Sequence, residues 1–334
     1  MGASHASPTP SPERLAHREL VVKRLVYTIC IGSFLWGRAF WSVGVPKYSG
    51  IFATEQLAGK AAVEENRGPM PKRQQTSSVK RQVLEALFQQ YLRTGDPVFD
   101  NDAVKAVCHQ LGFGNPFDAT KVDTKSELPD IMVQNKYCVA HIGKGKHQFV
   151  QALSDWYHDF EPIQGNEQWE WRYRSSLLND LESGESSTLS LAFNQRILHD
   201  FLYEDITASP RIYIPGRPRL TMSYRVGSVQ LQLTSQQMEV DLTLEHDRIV
   251  TVVEAKNSLL SDFAIYQIFH PFKYYSQKLR DRGSPAKEVN ACYVLRSEQT
   301  GLICVRMYLY RFLDEDRIDS IQLVRKAEYR LVRR

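Results

Sequence analysis

Two carboxylates and a lysine stand along two neighbouring apolar runs. The first run, Met238-Glu-Val-Asp-Leu-Thr-Leu244, carries Asp241. After Glu245-His-Asp247 the second run, Arg248–Asn257, ends on the triplet Glu254-Ala-Lys256. Side chains alternate faces along a strand. Met238, Val240, Leu242 and Leu244 therefore share one face, and Glu239, Asp241 and Thr243 share the other. Glu254 and Lys256 point the same way, with Val250 and Val252 behind them. Paired as neighbours, the two strands bring Asp241, Glu254 and Lys256 together. A magnesium ion takes one or two carboxylates plus a phosphate oxygen. Held there, it polarises a phosphoryl group and lowers the pKa of a bound water. A lysine beside that water can orient it and offset charge in the transition state. The chemistry this spacing suits is hydrolysis of a phosphodiester bond.

A plainer reading competes with it. An acid-x-lysine triplet arises by chance, and the chain has a second, Asp123-Thr-Lys125, in a polar stretch with no strand before it. A charged pair at the exit of a buried strand is also ordinary solvation. Context separates the two triplets: an apolar strand leads into Glu254, an acid stands on the preceding strand, and an apolar helical segment follows.

Asp241 followed by Glu254-Ala-Lys256 resembles the signature of the PD-(D/E)XK nuclease superfamily, which includes most type II restriction endonucleases. The superfamily core runs helix, three strands, helix, strand, and this sequence reads in that order from Ser186 to Phe312. Ser187–Glu204 has Leu189, Ala192, Phe193, Ile197 and Phe201 at helical spacing, with Ser186 or Ser187 as N-cap. Leu220–Val226 and Val229–Leu233 form a hairpin around Gly227-Ser228. The Asp241 and Glu254 strands follow. Ser261-Asp262 caps an apolar helix, Phe263–Leu279, and Asn290–Arg296 and Leu302–Phe312 read as further strands. The residue before Asp241 is Val240 where the signature has proline. The resemblance implies that Asp241 and Glu254 are metal ligands and that Lys256 orients the water. It also points to Gln267 and Tyr274, on the helix after the catalytic strand, as groups that assist at the metal or the DNA, with Lys273 on a phosphate. The competing reading of that segment is an amphipathic helix on the sheet, kinked at Pro271, with His270 a packed histidine.

Composition places the chain among intracellular globular proteins, and the expected compartment is the cytoplasm. Its 334 residues suggest two domains and its 43% hydrophobic content suffices for real cores. A net charge of only +4 means that DNA binding relies on local patches. The five cysteines, Cys30, Cys108, Cys138, Cys292 and Cys304, show no CxxC or Cys/His pairing, which argues against zinc and a disulfide framework. Residues 1–75 read as a poorly structured extension, Pro/Ser/Ala-rich at first. It contains an apolar run, Leu25–Trp36, too short for a comfortable membrane span. That run has the shape of a signal-peptide core but lacks a small-x-small cleavage site after it. Met70 stands where an internal start would give a soluble chain.

Residues 76–165 read as a small, mainly helical module. Ser78–Leu92 carries Val79, Val83, Leu87 and Phe88 or Tyr91 on one side. Asn101–Leu111 is a second helix, capped by Asn101 or Asp102 and stopped by Gly112. Tyr137–Ile142 and His147–Gln151 flank Gly-Lys-Gly-Lys146 as a hairpin with a basic tip. Helices followed by such a hairpin resemble a winged helix, in which Lys144 and Lys146 would reach phosphates; a small helical domain with a solvated turn is the alternative. Glu161–Gln168 reads as a linker. The following Trp169-Glu-Trp-Arg-Tyr-Arg174 either stacks on bases and grips phosphates through Arg172 and Arg174, or is a strand with aromatics buried on one face. Arg211, Arg217 and Arg219, set among prolines, form a basic loop in which Arg217 and Arg219 are candidates for reading bases.

The fold expected is α/β, a mixed central sheet flanked by helices as in restriction endonucleases, over residues 166–334, preceded by the helical, winged-helix-like module. The function expected is Mg²⁺-dependent hydrolysis of double-stranded DNA at a specific sequence by a type II restriction endonuclease acting as a homodimer. A DNA-repair or structure-specific nuclease on the same core is the first alternative, and a catalytically inactive DNA-binding regulator the second. A chain starting near Glu167 is expected to keep the catalytic core and bind DNA more weakly.

Overall fold

The computed structural model describes residues 72–334 except 175, 178–183, 215, 284–286, 300 and 334. Residues 1–71 of the expected extension, with its apolar run Leu25–Trp36, Cys30 and Met70, lie outside the described residues, and its last four, Lys72–Gln75, are helical. The described residues fall together in one compact unit.

The unit begins with helix α1 (Lys72–Thr94), which buries Val83, Leu84, Leu87 and Phe88 along one stripe. Strand β1 (Val98–Asp100) leads into α2 (Asn101–Leu111). The Asp100 carboxylate accepts from the backbone N–H groups of Asp102 and Ala103, so the cap is Asp100, one residue ahead of the expected Asn101. Gly112 ends α2 in the left-handed region, where a glycine costs least. Two short helices, α3 (Pro116–Ala119) and α4 (Asp130–Gln134), precede a hairpin of β2 (Cys138–Gly143) and β3 (Lys146–Val150). β1 joins the hairpin to give a three-stranded antiparallel sheet in the order β1-β3-β2. The expected hairpin is present, with Lys144 and Gly145 at its turn both at positive φ.

After α5 (Leu153–Trp156) and β4 (Tyr157–Asp159) comes the main sheet. Its members are β5 (Gln168–Tyr173), β6 (Arg211–Tyr213), β9 (Leu242–His246), β10 (Ile249–Lys256), β12 (Glu288–Gln299), β13 (Leu302–Phe312) and β14 (Ile321–Arg333). Their order is β5-β14-β13-β12-β10-β9-β6. β10 and β12 are parallel, as are β14 and β5; the other neighbours are antiparallel. The helix α8 (Tyr266–Asp281) makes the crossover from β10 to β12.

Helices cover both faces, so the described residues form a layered α/β structure. On one face α6 (Glu185–Asn194) and α7 (Ile197–Tyr203) bury Leu189, Leu191, Ile197 and Phe201 against Val253, Ala255, Val294 and Met307. On the other face Phe263, Ile268 and Phe269 meet Val252, Tyr293, Leu295 and Tyr310. This second core continues without a break into the amino-terminal elements, through Trp156 and Tyr157 to Phe149, Phe88 and Val104. The boundary expected at 165/166 therefore lies inside one core. The supposed linker is anchored as well: Glu161 accepts from Tyr310 at 2.9 Å and bonds His158 at 3.0 Å.

Three expectations are corrected. Ser187–Glu204 is two helices, because Arg196 takes φ 63° and turns the chain between α6 and α7. The hairpin β7 (Arg219–Val226) and β8 (Val229–Gln237) forms where expected but stands as its own two-stranded sheet, and the short β6 takes the place beside β9. Asp262 does not cap a helix. It begins a short strand, β11 (Asp262–Ala264), paired with β4, and α8 starts at Tyr266. Among the described residues, no helix is long and apolar enough to cross a membrane. The described cysteines, Cys108, Cys138, Cys292 and Cys304, are free.

Candidate active site

A two-residue turn sets the site. Asp247 and Arg248 both take positive φ, the conformation whose twist suits a tight hairpin. It fixes the register His246↔Ile249 through Leu242↔Val253. Asp241 then lies one residue before β9, in the bend that enters it and not within the strand, and faces the end of β10. Its Oδ2 accepts the backbone N–H of Ala255 at 2.9 Å. That bond places the carboxylate between the two outward residues of the triplet. Lys256 Nζ donates to Glu254 Oε1 at 2.7 Å. The structure thus brings Asp241, Glu254 and Lys256 together, as the spacing predicts. The Glu254 and Lys256 side chains are 14% and 12% exposed, enough for a ligand to reach and too little for bulk water to screen.

Burial dominates the electrostatics. It pushes Glu254 up to about 8, with Lys256 pulling down and Asp241 adding to the rise. Burial also raises Asp241, against the Ala255 N–H and the Lys256 charge. For Lys256 burial works against the ammonium, but Glu254, Asp123 and Glu185 outweigh it and the pKa is raised. The site is a charged lysine among carboxylates that burial biases toward their neutral form, a surplus of acid that a cation would relieve. Among the described residues no three carboxylate, histidine or cysteine side chains gather closely enough to hold a metal ion between them. The candidate donors are the pair Asp241 and Glu254.

Two acids at this site were not foreseen. Glu185, the first residue of α6, stands 3.2 Å from Lys256 Nζ. Asp123, in the triplet set aside as chance, acts on Glu254, Lys256, Tyr266 and Tyr293 through its charge and has a buried Oδ1 with no partner among the described residues. The loop that carries it is tied to β11: Ala264 N–H donates to Asp123 O at 2.8 Å and Lys125 N–H to Asp262 Oδ1 at 2.7 Å. The local signal for Glu185 was its place at a helix start. Asp123 had none, since only tertiary packing brings its loop here.

The remaining candidates divide. Gln267 is buried, its Oε1 accepting from Tyr293 at 3.1 Å, and Tyr293 pairs with Glu254 in the sheet. Gln267 therefore supports a neighbour of the site. Tyr274 packs on the core, with Lys278 over its ring. His270 is a packed histidine, bonded to Tyr224 at 2.8 Å. Lys273 does not reach a phosphate: it is 2% exposed and its Nζ is held by Asp316 Oδ1 at 2.6 Å and Glu315 O at 2.8 Å. Arg217 and Arg219 are exposed beside the segment leading to Asp241, where Arg217 meets Glu239 at 3.4 Å and Pro218 O accepts from Met238 N–H at 2.9 Å.

Lys144 and Lys146 are exposed at the β2–β3 turn, but the turn is seated on the body. A Cβ at Gly143 would lie 2.0 Å from Thr234 O of β8. On β5 the aromatics Trp171 and Tyr173 face inward, Trp171 donating to Gln195 O at 2.9 Å, while Arg172 and Arg174 are exposed. β5 is four strands from β10, roughly 19 Å at the usual strand spacing, so these arginines do not join the carboxylates.

No curated protein and no solved structure matches the chain. Residues 81–149 match a family model described as Domain of unknown function (DUF6996), and residues 153–330 match another. The two meet between residues 149 and 153, ahead of the linker read at Glu161–Gln168. The second match spans more than half of the 334 residues, and the chain belongs to the family it defines, Domain of unknown function (DUF6997).

Proposed function

We propose that the chain is a magnesium-dependent endodeoxyribonuclease of the PD-(D/E)XK kind, cutting double-stranded DNA in the manner of a type II restriction enzyme. The observation that carries the reading is the Asp241 carboxylate bonded to the N–H of Ala255, between Glu254 and Lys256. Support also comes from the order of elements. A helical segment (α6–α7), three antiparallel strands (β6, β9, β10), a helix (α8) and a strand parallel to β10 (β12) follow the superfamily core. The helices and hairpin of residues 72–150, with β1 at the hairpin edge, suit a winged-helix-like module.

The residues fit a hard cation. One oxygen of each carboxylate is committed, Asp241 Oδ2 to Ala255 and Glu254 Oε1 to Lys256, and both can offer another. Two carboxylates leave room for waters and a phosphate oxygen, as magnesium prefers. The bound ion would polarise the phosphoryl group and acidify a water. Lys256, released in part from Glu254, would hold that water in line, and Glu185 would keep the ammonium aimed. Arg217 and Arg219 would read base edges, and Lys144 and Lys146 would touch the backbone. A cut on both strands calls for two sites, hence a homodimer matching the two-fold symmetry of the duplex.

Incubation of the protein with plasmid DNA and Mg²⁺ is the test. Discrete fragments mean a restriction enzyme, a smear means a repair or nonspecific nuclease, and intact DNA means a DNA-binding regulator or no role on DNA. Mn²⁺ should substitute in part, and Ca²⁺ should support binding without cleavage, its looser shell placing the water poorly. Full activity in EDTA would refute the metal mechanism.

A further inference from the structure

The strand registers put more than the catalytic pair on its face of the sheet. Lys256 of β10 is opposite Leu295 of β12, Leu295 opposite Arg306 of β13, Arg306 opposite Glu328 of β14, and Glu328 opposite Gln168 of β5. The next row outward runs Ser297, Cys304, Arg330, Glu170, and beyond it Val332 is paired with Arg172. Directly paired residues share a face. Lys256, Arg306, Arg330 and Arg172 therefore lie on one side of the sheet, the side on which Val252, Tyr293 and Tyr308 are buried deeper in.

This end of the face is open. The Arg306 and Arg330 side chains are 35% and 44% exposed, and Arg172 and Arg174 are exposed. It is the carboxyl end of β10, β12 and β5, where sheets with parallel strands bind ligands. From β10 the arginines lie roughly 10 Å (β13), 14 Å (β14) and 19 Å (β5) away at normal strand spacing. A DNA strand rises about 3.4 Å per phosphate, so those distances correspond to roughly three to six nucleotides from the bond at the catalytic pair.

The chemistry suits phosphates. Glu328 is buried and accepts from Arg306 Nε at 2.8 Å and Arg330 Nε at 2.9 Å. Arg330 Nη2 also donates to Gln168 Oε1 at 2.8 Å. One carboxylate orients two guanidinium planes and leaves a net positive charge on two partly exposed side chains. A cross-strand pair serving stability alone has no use for the second arginine, nor for Arg172 and Arg174, which have no ion pair among the described residues.

We propose that Arg306, Arg330, Arg172 and Arg174 form a track for the phosphodiester backbone of duplex DNA, running across the sheet from the catalytic pair to the β5 edge. This rests on the nuclease reading above. The test is the salt dependence of binding to a short blunt duplex in EDTA, beside cleavage of plasmid DNA in Mg²⁺. Arg172→Gln with Arg174→Gln removes two exposed side chains and should leave the urea midpoint unchanged. The slope of log K against log salt should fall in magnitude by about 0.9 for each phosphate no longer neutralised, about 1.8 for this pair. Arg306→Gln, with Arg330 still holding Glu328, should lower it by about 0.9. If the wild type cuts and both variants keep its slope, the track is wrong and the nuclease reading stands. If the wild type binds with an arginine-dependent slope but never cuts, the track stands and the nuclease reading fails. If it neither binds nor cuts, both fail.

Discussion

Lys256 and Lys273 are both buried, and their surroundings give them opposite roles. Lys256 sits among Glu254, Glu185 and Asp123 and keeps 12% of its side chain exposed. Lys273 is sealed, with its single carboxylate partner, Asp316, 78% exposed. Asp241→Asn, Glu254→Gln and Lys256→Met should each abolish cleavage while the duplex is still bound in Ca²⁺. Any two of them cutting near the wild-type rate would dismiss the site. At Lys273 the test is stability. Asp316→Ala strands a buried ammonium and should cost about 1–3 kcal/mol, less than a fully buried pair because Asp316 itself sits in water. Lys273→Met removes the charge with its need for a partner and should cost less. Urea denaturation giving the reverse order would mean that the pair is not what holds Lys273. The sequence made Glu254 and Lys256 legible because strand alternation decides which residues share a face; Asp241, in the bend before β9, is placed instead by its bond to the Ala255 N–H. The sequence misread Lys273 because helical periodicity does not reveal a carboxylate 43 residues on.

Among the elements, the β9–β10 hairpin was legible and its neighbours less so. Alternating apolar residues on both sides of a polar turn leave few registers, and a slip of one residue would turn Glu254 and Lys256 to the face that α6 and α7 cover. The turn itself is unusual in chemistry: Asp247 and Arg248 occupy positions that favour Asn-Gly. Arg248→Gly should therefore raise stability by about 0.5–1 kcal/mol, the relief of a left-handed non-glycine less the entropy of the glycine. An unchanged or lower melting temperature would show that Arg248 makes up its strain elsewhere. The break between α6 and α7 could not be seen, because Gln195-Arg196 carries no glycine or proline and Arg196 adopts φ 63° only as the second helix turns onto the sheet. β6 was hidden for another reason: three exposed residues, Arg211–Tyr213, have no inside-outside pattern to read.

Across the whole molecule, the continuous core decides what can be separated. A chain starting at Glu167 would lose Trp156, Tyr157 and Phe160 from beneath Phe263 and Tyr293, and β4 from β11. It should show no cooperative urea transition, whereas residues 72–334 should unfold in one step. The family matches divide near residue 150, but the packing does not, which is why a boundary drawn from polarity at Glu161–Gln168 had no structural counterpart. Three buried histidines spread through this body govern its response to acid. His147 in β3 is held down to about 3 by burial and by His141. His270 in α8 is held to about 3 by burial and by His141. His199 in α7 is held to about 4 by burial and by the Arg196 charge, whose guanidinium lies 2.7 Å from its Nε2. Each stays neutral in the folded chain and would charge near 6.5 once unfolded. Between those values the unfolded chain takes up protons that the folded chain refuses, so stability rises with pH. The contribution is complete above pH 6.5 and is lost as pH falls toward 3–4. At most it amounts to about 1.4 kcal/mol per pH unit for each histidine, about 4 kcal/mol per unit for the three; Glu254, pushed up to about 8 in the folded chain, keeps a proton that the unfolded chain has lost in this range and opposes them by about 1.4 kcal/mol per unit, leaving about 3 kcal/mol per unit against a total stability of about 5–15 kcal/mol. The urea midpoint should therefore drop steeply from pH 6.5 to 5. His147→Gln, which keeps a donor for Asn101, should flatten that slope by about half. A midpoint that stays level over this range would mean that these imidazoles reach protons in the folded state, and that the core is more open to water than its packing implies.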